Sequence, residues 1–414
     1  MRHRLANDSV DRASTLQPPT PSRAYRPAAG RRSLSALLAA LAATAACLAL
    51  GAASASAAPP FQFVGIQSSA DPTESELARL GEAEIQTFRA QISWGAVEPE
   101  APTGCTSSRC TGHTYRWGRY DQLFERAARN GVRVVPYLLG SPSWASSDSR
   151  WVPTYGKPGY AAWKRQSFYD FAKAAAERYG SEGTFWEGKD YGVDALRARF
   201  WQVWNEPNLP NYWWNQTSGS KTATEYGQLL AGTDAVLRAG DSRALTVSAG
   251  LPWSSYASVD PPAFLQSMFK SKPDSAAATD FVAIHPYART PGLVMEGVRA
   301  TRSALNSTAA SSRPIWLTEF GWAQTGPSSA FTVDVPTQAR YLRDTYRALF
   351  RHRTTYGIRG AVWFNLINVK RSPDRWYYHT GLFRSDRVTP WDSWWAMRCV
   401  TQGEAQFCRY GAPL

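Results

Sequence analysis

RFWQVWNEPN, residues 199–208, sets an ionisable side chain at the end of what reads as a buried strand. Phe200, Trp201, Val203 and Trp204 are apolar or aromatic, and Asn205, Glu206, Pro207 and Asn208 follow. A short apolar run closed by turn residues reads as a strand covered on both faces. A long amphipathic stretch, TATEYGQLLAGTDAVLRAG, comes next and reads as a helix that stops at its glycine.

Working outward, the same unit recurs. FVGIQ (63–67), IQTFRAQ (85–91) and VRVVPYLL (132–139) precede the opening stretch. ALTVSAG (244–250), FVAIHPY (281–287), PIWLTEFGW (314–322) and GAVWFNLI (360–367) come after it. Each is followed by a helical pattern, with a long loop intervening after the second. Strand–helix alternation implies a parallel sheet, and eight units imply a closed (β/α)8 barrel of the α/β class, the TIM barrel. An open doubly wound sheet is the alternative, but no glycine-rich turn follows the first strand.

Residues 1–58 stand apart. Seven Arg and two Asp lie in residues 1–32, and Leu34–Ala53 carries no charge. Ala55-Ser56-Ala57 then offers an Ala-x-Ala cleavage pattern. Basic, apolar, then small is the order of an export signal, here with a long basic segment and a partial twin-arginine match at Arg31. The rival reading is an uncleaved membrane anchor at 34–53, because the run is long enough to span a bilayer. On the export reading, residues 59–414 form a single barrel domain, secreted or associated with the cell envelope, with no stable membrane insertion after cleavage. The formal charge then falls from +13 to +8. No Lys/Arg cluster interleaved with aromatics stands out, which argues against nucleic-acid binding.

Cys47 leaves with the signal. Cys105, Cys110, Cys399 and Cys408 remain, an even number that suggests disulfides in an exported chain. Of three connectivities, Cys105–Cys110 and Cys399–Cys408 each close a short loop. Zinc is the alternative, but no CxxC pair or neighbouring His supports it. The sequons at Asn215 and Asn306 are uninformative without a known source.

In a barrel the C-terminal strand ends form the active-site rim. There the sequence sets Arg89 and Trp94, then Tyr137 and Trp144, then Asn205 and Glu206, then His285 and Tyr287, then Glu319 and Trp322, then Trp363 and Asn365. Two carboxylates across one barrel mouth suit hydrolysis of a glycosidic bond, and an aromatic rim suits the apolar faces of sugars. Taken singly, each residue has a plain structural reading: Glu206 and Arg89 as an ion pair, His285 as a bonded core histidine, Trp363 as core. The recurrence of polar residues at one barrel end favours the chemical reading.

From about residue 62 to about 397 the chain resembles the clan A retaining glycoside hydrolases. WNEP (204–207) looks like the clan's strand-four signature and LTEFGW (317–322) like its strand-seven signature. The resemblance implies Glu206 as acid/base, Glu319 as nucleophile and Asn205 as ligand of the sugar 2-hydroxyl. It places Arg89 beside the nucleophile, His285 and Tyr287 in the strand-six His-x-Tyr, and Trp363 at the floor of the subsite. Trp94, Trp144 and Trp322 are further candidates for sugar contact. The style is nearest to family 39, with family 5 cellulase-like enzymes as neighbours. No metal or organic cofactor is expected, the partner is a carbohydrate substrate, and the chain is expected to act as a monomer. A cell-envelope transglycosylase and a non-catalytic carbohydrate-binding barrel are the alternatives.

Overall fold

A computed structural model describes residues 62–153, 160–191, 196–214, 218–254 and 257–408. Residues 1–58, where an export signal is expected, with Cys47, and Asn215 of the first sequon lie outside the described residues. All described residues fall within one compact unit. Among them, no helix is long and apolar enough to cross a membrane.

Nine strands form the sheet: β1 Val64–Gln67, β2 Thr87–Ser93, β3 Arg133–Leu139, β4 Phe200–Val203, β5 Leu245–Val247, β6 Leu251–Pro252, β7 Val282–His285, β8 Ile315–Phe320 and β9 Ile358–Phe364. Every paired neighbour is parallel, in the order β5-β4-β3-β2-β1-β9-β8-β7-β6. Nine strands fill eight barrel positions, because β5 and β6 are two pieces of one position. β5 pairs with β4 and β6 with β7, and a bridge from Val247 to Phe281 joins the two flanks. The run 244–250 reads as one strand in sequence; in the structure it breaks at Ser248-Ala249-Gly250. Gly250 explains the break: a Cβ there would collide with the His285 ring. The fold is the (β/α)8 barrel.

Helices fill the connections, with buried faces turned to the strands. Capping fixes where several begin. Thr73 forms a capping box with Glu76, and Asp260, Thr290 and Asp334 each cap a helix that opens with proline. One core lies between strands and helices. A smaller cluster of Val135, Phe200, Val247, Ala283 and Trp316 fills the barrel interior near the strands' N-terminal ends.

Two local features shape the catalytic end. β4 stops at Val203 because Trp204 and Glu206 both take positive φ, at 67° and 45°. Such angles are strained for residues other than glycine and are kept only where the surroundings impose them. Here Trp204 N donates to Leu138 O at 3.0 Å and Glu206 N to Gly250 O at 3.2 Å. Disulfides join Cys105 to Cys110, in the long loop after β2, and Cys399 to Cys408, across the end of the last helix.

Candidate active site

β2 carries Arg89 into the barrel, where its side chain is fully enclosed. Its guanidinium serves four acceptors. Nη1 donates to Glu319 Oε1 at 2.5 Å and also to Gln67 Oε1. Nη2 donates to Asn205 Oδ1 at 2.9 Å, and Nε donates to Gln202 Oε1 at 2.6 Å. Its face lies 4.0 Å from the Tyr137 ring centroid. Because Asn205 accepts through Oδ1, its NH2 end is the one left to donate.

Glu319, at the end of β8, receives a second hydrogen bond from the Tyr287 hydroxyl, 2.9 Å from Oε2. Among the described residues Glu206 has one side-chain hydrogen-bond partner, His285 Nδ1, 2.7 Å from Oε1. The other nitrogen of that imidazole faces Thr318. Gln202 Nε2 donates to Ser248 O at 3.0 Å and to Thr318 Oγ1 at 3.1 Å. The Thr318 hydroxyl then has its own proton to give to His285 Nε2, 3.0 Å away. Nδ1 then donates to Glu206, in the neutral ring with Nε2 accepting from Thr318 and in the imidazolium alike. Gln202 thus links the arginine beside one glutamate to the histidine beside the other.

The two carboxyls titrate apart. Burial pushes Glu206 up, and the charge of Glu319 adds to this; the His285 hydrogen bond opposes it and does not win. Burial also pushes Glu319 up. Against it stand His285, the Arg89 guanidinium and the hydrogen bonds from Tyr287 and Arg89, and together they hold Glu319 below the ordinary carboxylate range. Glu206, His285 and Glu319 bring one ligand atom each within 4.8 Å of one another. Such donors can hold a cation, but the guanidinium on Glu319 Oε1 repels one, so the set suits an acid pair better than a metal centre.

The tryptophans divide. Trp94, Trp322 and Trp363 are fully enclosed. Trp94 donates its indole N–H to Glu98, Trp322 to Ala288 O and Trp363 to Thr380 O. None of the three presents a face for a ligand. Trp363 packs on Phe320 and Trp322, in the layer that includes Tyr341 and Tyr346 of helix Val335–Arg351. With the strand period of two, its neighbour Phe364 points the other way and lies 6.4 Å from the Tyr287 ring. Phe364, and not the Trp363 singled out in the sequence, is thus the strand-end aromatic that faces Tyr287. Trp144 is half-buried, stacked on Trp163 at 5.7 Å, and donates to Glu98 O. Asn365 is enclosed, tying the end of β9 to Ser69.

The sequence reading overlooked Gln67, Gln202 and Thr318, and an aromatic wall beside Tyr287. Trp376 lies 5.4 Å from the Tyr287 ring and 4.7 Å from Phe331, with Tyr377 and Tyr378 continuing outward. The available signals were glutamines at inward positions of apolar strands, and three consecutive aromatics in RWYYH after strand eight.

The chain resembles solved structures at low identity. A family 39 glycoside hydrolase from Bacteroides cellulosilyticus WH2 is 19% identical, with TM-score 0.56, covering 83% of this chain and 64% of that one. A monomeric β-xylosidase from Caulobacter crescentus CB15 is 18% identical, with TM-score 0.58, covering 83% and 69%. An exo-β-1,4-mannosidase from Opitutaceae bacterium strain TAV5 is 15% identical, with TM-score 0.55, covering 83% and 60%. This chain therefore spans less than two thirds of the length of the Bacteroides and Opitutaceae proteins. No curated protein matches it. The family model described as glycosyl hydrolase catalytic core matches residues 162–392, more than half of the chain, and takes in Glu206, His285, Tyr287 and Glu319. On that match the chain belongs to the glycosyl hydrolase catalytic core family.

Proposed function

We propose that this protein is an exported retaining glycosidase that cleaves O-glycosidic bonds of an oligo- or polysaccharide by double displacement. One observation carries the reading: two buried carboxyls, with oxygens within 4.8 Å, are held in opposite protonation preferences. Oxygens this close support the retaining arrangement, whose carboxyl groups stand about 5–5.5 Å apart, over the inverting one at roughly 6.5–9.5 Å.

Glu319, ionised and oriented by Arg89 and Tyr287, attacks the anomeric carbon. Glu206, protonated, gives its proton to the leaving oxygen as the C–O bond breaks. The glycosyl ester on Glu319 is then hydrolysed by water, whose proton returns to Glu206. Asn205, with its amide oriented by Arg89, offers its NH2 to the 2-hydroxyl. Phe364, Tyr287, Trp376 and Phe331 supply aromatic surface for the sugar. The basic–apolar–small order of residues 1–58 and the two disulfides favour export and a single domain over residues 59–414.

The test is to trap the intermediate. A panel of 2-deoxy-2-fluoro glycosides with dinitrophenolate leaving groups should label the protein once, on the peptide bearing Glu319. Proton NMR in the first minutes of hydrolysis should show a product that keeps the substrate's anomeric configuration. An inverted first product would overturn the nucleophile assignment.

A further inference from the structure

The opposite end of the barrel holds a second cluster of charge that the glycosidase reading does not use. Arg133 opens β3, Arg199 directly precedes β4, and Arg359 is the second residue of β9. All three therefore stand at strand N-termini, away from Glu206 and Glu319. Among the described residues, no carboxylate pairs with any of them.

The arrangement is specific. Gln62 Oε1 accepts from Arg133 Nη1 at 3.1 Å and from Arg359 Nη2 at 3.4 Å. Both guanidiniums lie over the Phe200 ring, at 5.5 and 5.2 Å, and Arg359 is also 5.4 Å from Trp316. The aromatic faces offset part of the charge. They do nothing for the N–H groups in the guanidinium plane. Arg133 is only 7% exposed, and its Nε–H has no partner. Gln62 Nε2 and the hydroxyl of Thr87, the register neighbour of Arg133 on β2, are likewise buried without partners. Burial and the nearby Arg359 and Arg199 charges depress Arg133 to about 10.

Buried polar groups are nearly always bonded, and buried charges are nearly always paired. Here the unmet groups can all donate, and the charges around them are all positive. Water would meet the hydrogen bonds but not the charge. We propose that the N-terminal end of the barrel, lined by Arg133, Arg199, Arg359 and Gln62, binds a small oxyanion of the phosphate or sulfate class. Planar guanidiniums suit two oxygens of such an anion at once, and the exposed Arg199 gives it a route from solvent. At this face of a barrel the consequence is stability rather than catalysis.

The test uses the full chain and inorganic phosphate, with sulfate as a second arm and chloride at matched ionic strength as control. Calorimetric titration should show one site. The melting temperature should rise saturably, by about 2 °C at ten times Kd, in phosphate or sulfate but not in chloride. Arg133→Gln should abolish the effect. Arg199→Gln, at an exposed position that should fold normally, should weaken binding at least threefold. Turnover of aryl glycosides should be unchanged by saturating phosphate. Equal melting in phosphate and chloride would overturn the proposal. So would full phosphate affinity in Arg199→Gln, or phosphate inhibition that places the anion in the catalytic cleft.

Discussion

Arg89 Nη1 lies 2.5 Å from Glu319 Oε1, joining two side chains 230 positions apart in the chain. The contact is enclosed, so its charge is poorly screened, and it biases Glu319 toward the ionised form while Glu206 is left to hold a proton.

The two glutamates should fail differently. Glu319→Ala should abolish turnover, and azide should restore it with inverted product. Glu206→Ala should slow substrates with poor leaving groups by about 10²–10⁴-fold, the range expected for a lost general acid, while sparing dinitrophenyl glycosides. Both are read from kcat/KM on matched substrates. Near wild-type rates in both variants would end the assignment.

The pH profile follows from the same shifts. Activity needs Glu319 ionised and Glu206 protonated. Rates should fall on the acid side below the ordinary carboxylate range, where Glu319 takes up its proton, and on the alkaline side above it, where Glu206 loses its own. In Arg89→Met the acid limb of kcat/KM should move upward. An acid limb that stays in place would show that Arg89 does not set the nucleophile's ionisation.

Gln202 and Thr318 act through His285. Thr318→Val removes the donor to His285 Nε2 and leaves Gln202 Nε2 short of an acceptor. A buried polar group left unmet costs about 1–3 kcal/mol of stability, and kcat should fall as His285 loses its partner. The diagnostic readout is the alkaline limb: it should shift in Thr318→Val and return toward wild type in Thr318→Ser. A kcat loss with an unmoved limb in both would mark a purely structural role.

The aromatic assignments separate by KM and stability. Trp376→Ala should raise KM for oligosaccharides by about two- to tenfold, with little change in melting temperature. Trp322→Ala empties an enclosed site and should cost about 3–5 kcal/mol of stability.

His113, on the disulfide-bearing loop, gives a separate pH signal. Its Nε2 is 3.3 Å from Asp170 Oδ2 and its Nδ1 is 2.6 Å from Glu98 Oε1. The contacts with Asp170 and Glu98 raise its pKa to about 9. The contribution is therefore complete below the unfolded value near 6.5 and lost as pH rises through about 9. The melting-temperature gap between wild type and His113→Gln should close between pH 6.5 and 9. A constant gap would count against the ion pair.

Much of this was legible in the chain itself. Apolar runs, each followed by a helical pattern, indicated eight units, and Glu206 and Glu319 stood where two of those runs end. The side that a tryptophan faces was not legible. Trp363 and Phe364 both lie in a strand buried on two faces, so no polar alternation marks which one enters the barrel. Trp94 and Trp322 follow strand ends as a rim residue would, yet tertiary packing turns both into the core. The arginine cluster at the strands' N-terminal ends was hidden because Gln62, Arg133 and Arg359 meet only after the strands close.

The split at β5 and β6 means that the barrel closes there through one short backbone bridge, Val247 to Phe281, and a set of side chains, instead of a continuous ladder. The Tyr226 hydroxyl holds the Ala249 amide, Ser248 Oγ accepts from Ala283 N, and Gln202 reaches Ser248 O. In the language of hydrogen exchange, this stave should be less protected than its ladder-paired neighbours, and part of its protection is borrowed from Tyr226, Ala283 and Gln202. Glu206 hangs from its Gly250 carbonyl, so a fluctuation that parts this stave disarms the acid while Arg89 still grips the nucleophile. The expected signature is activity lost at a temperature below the global melting transition.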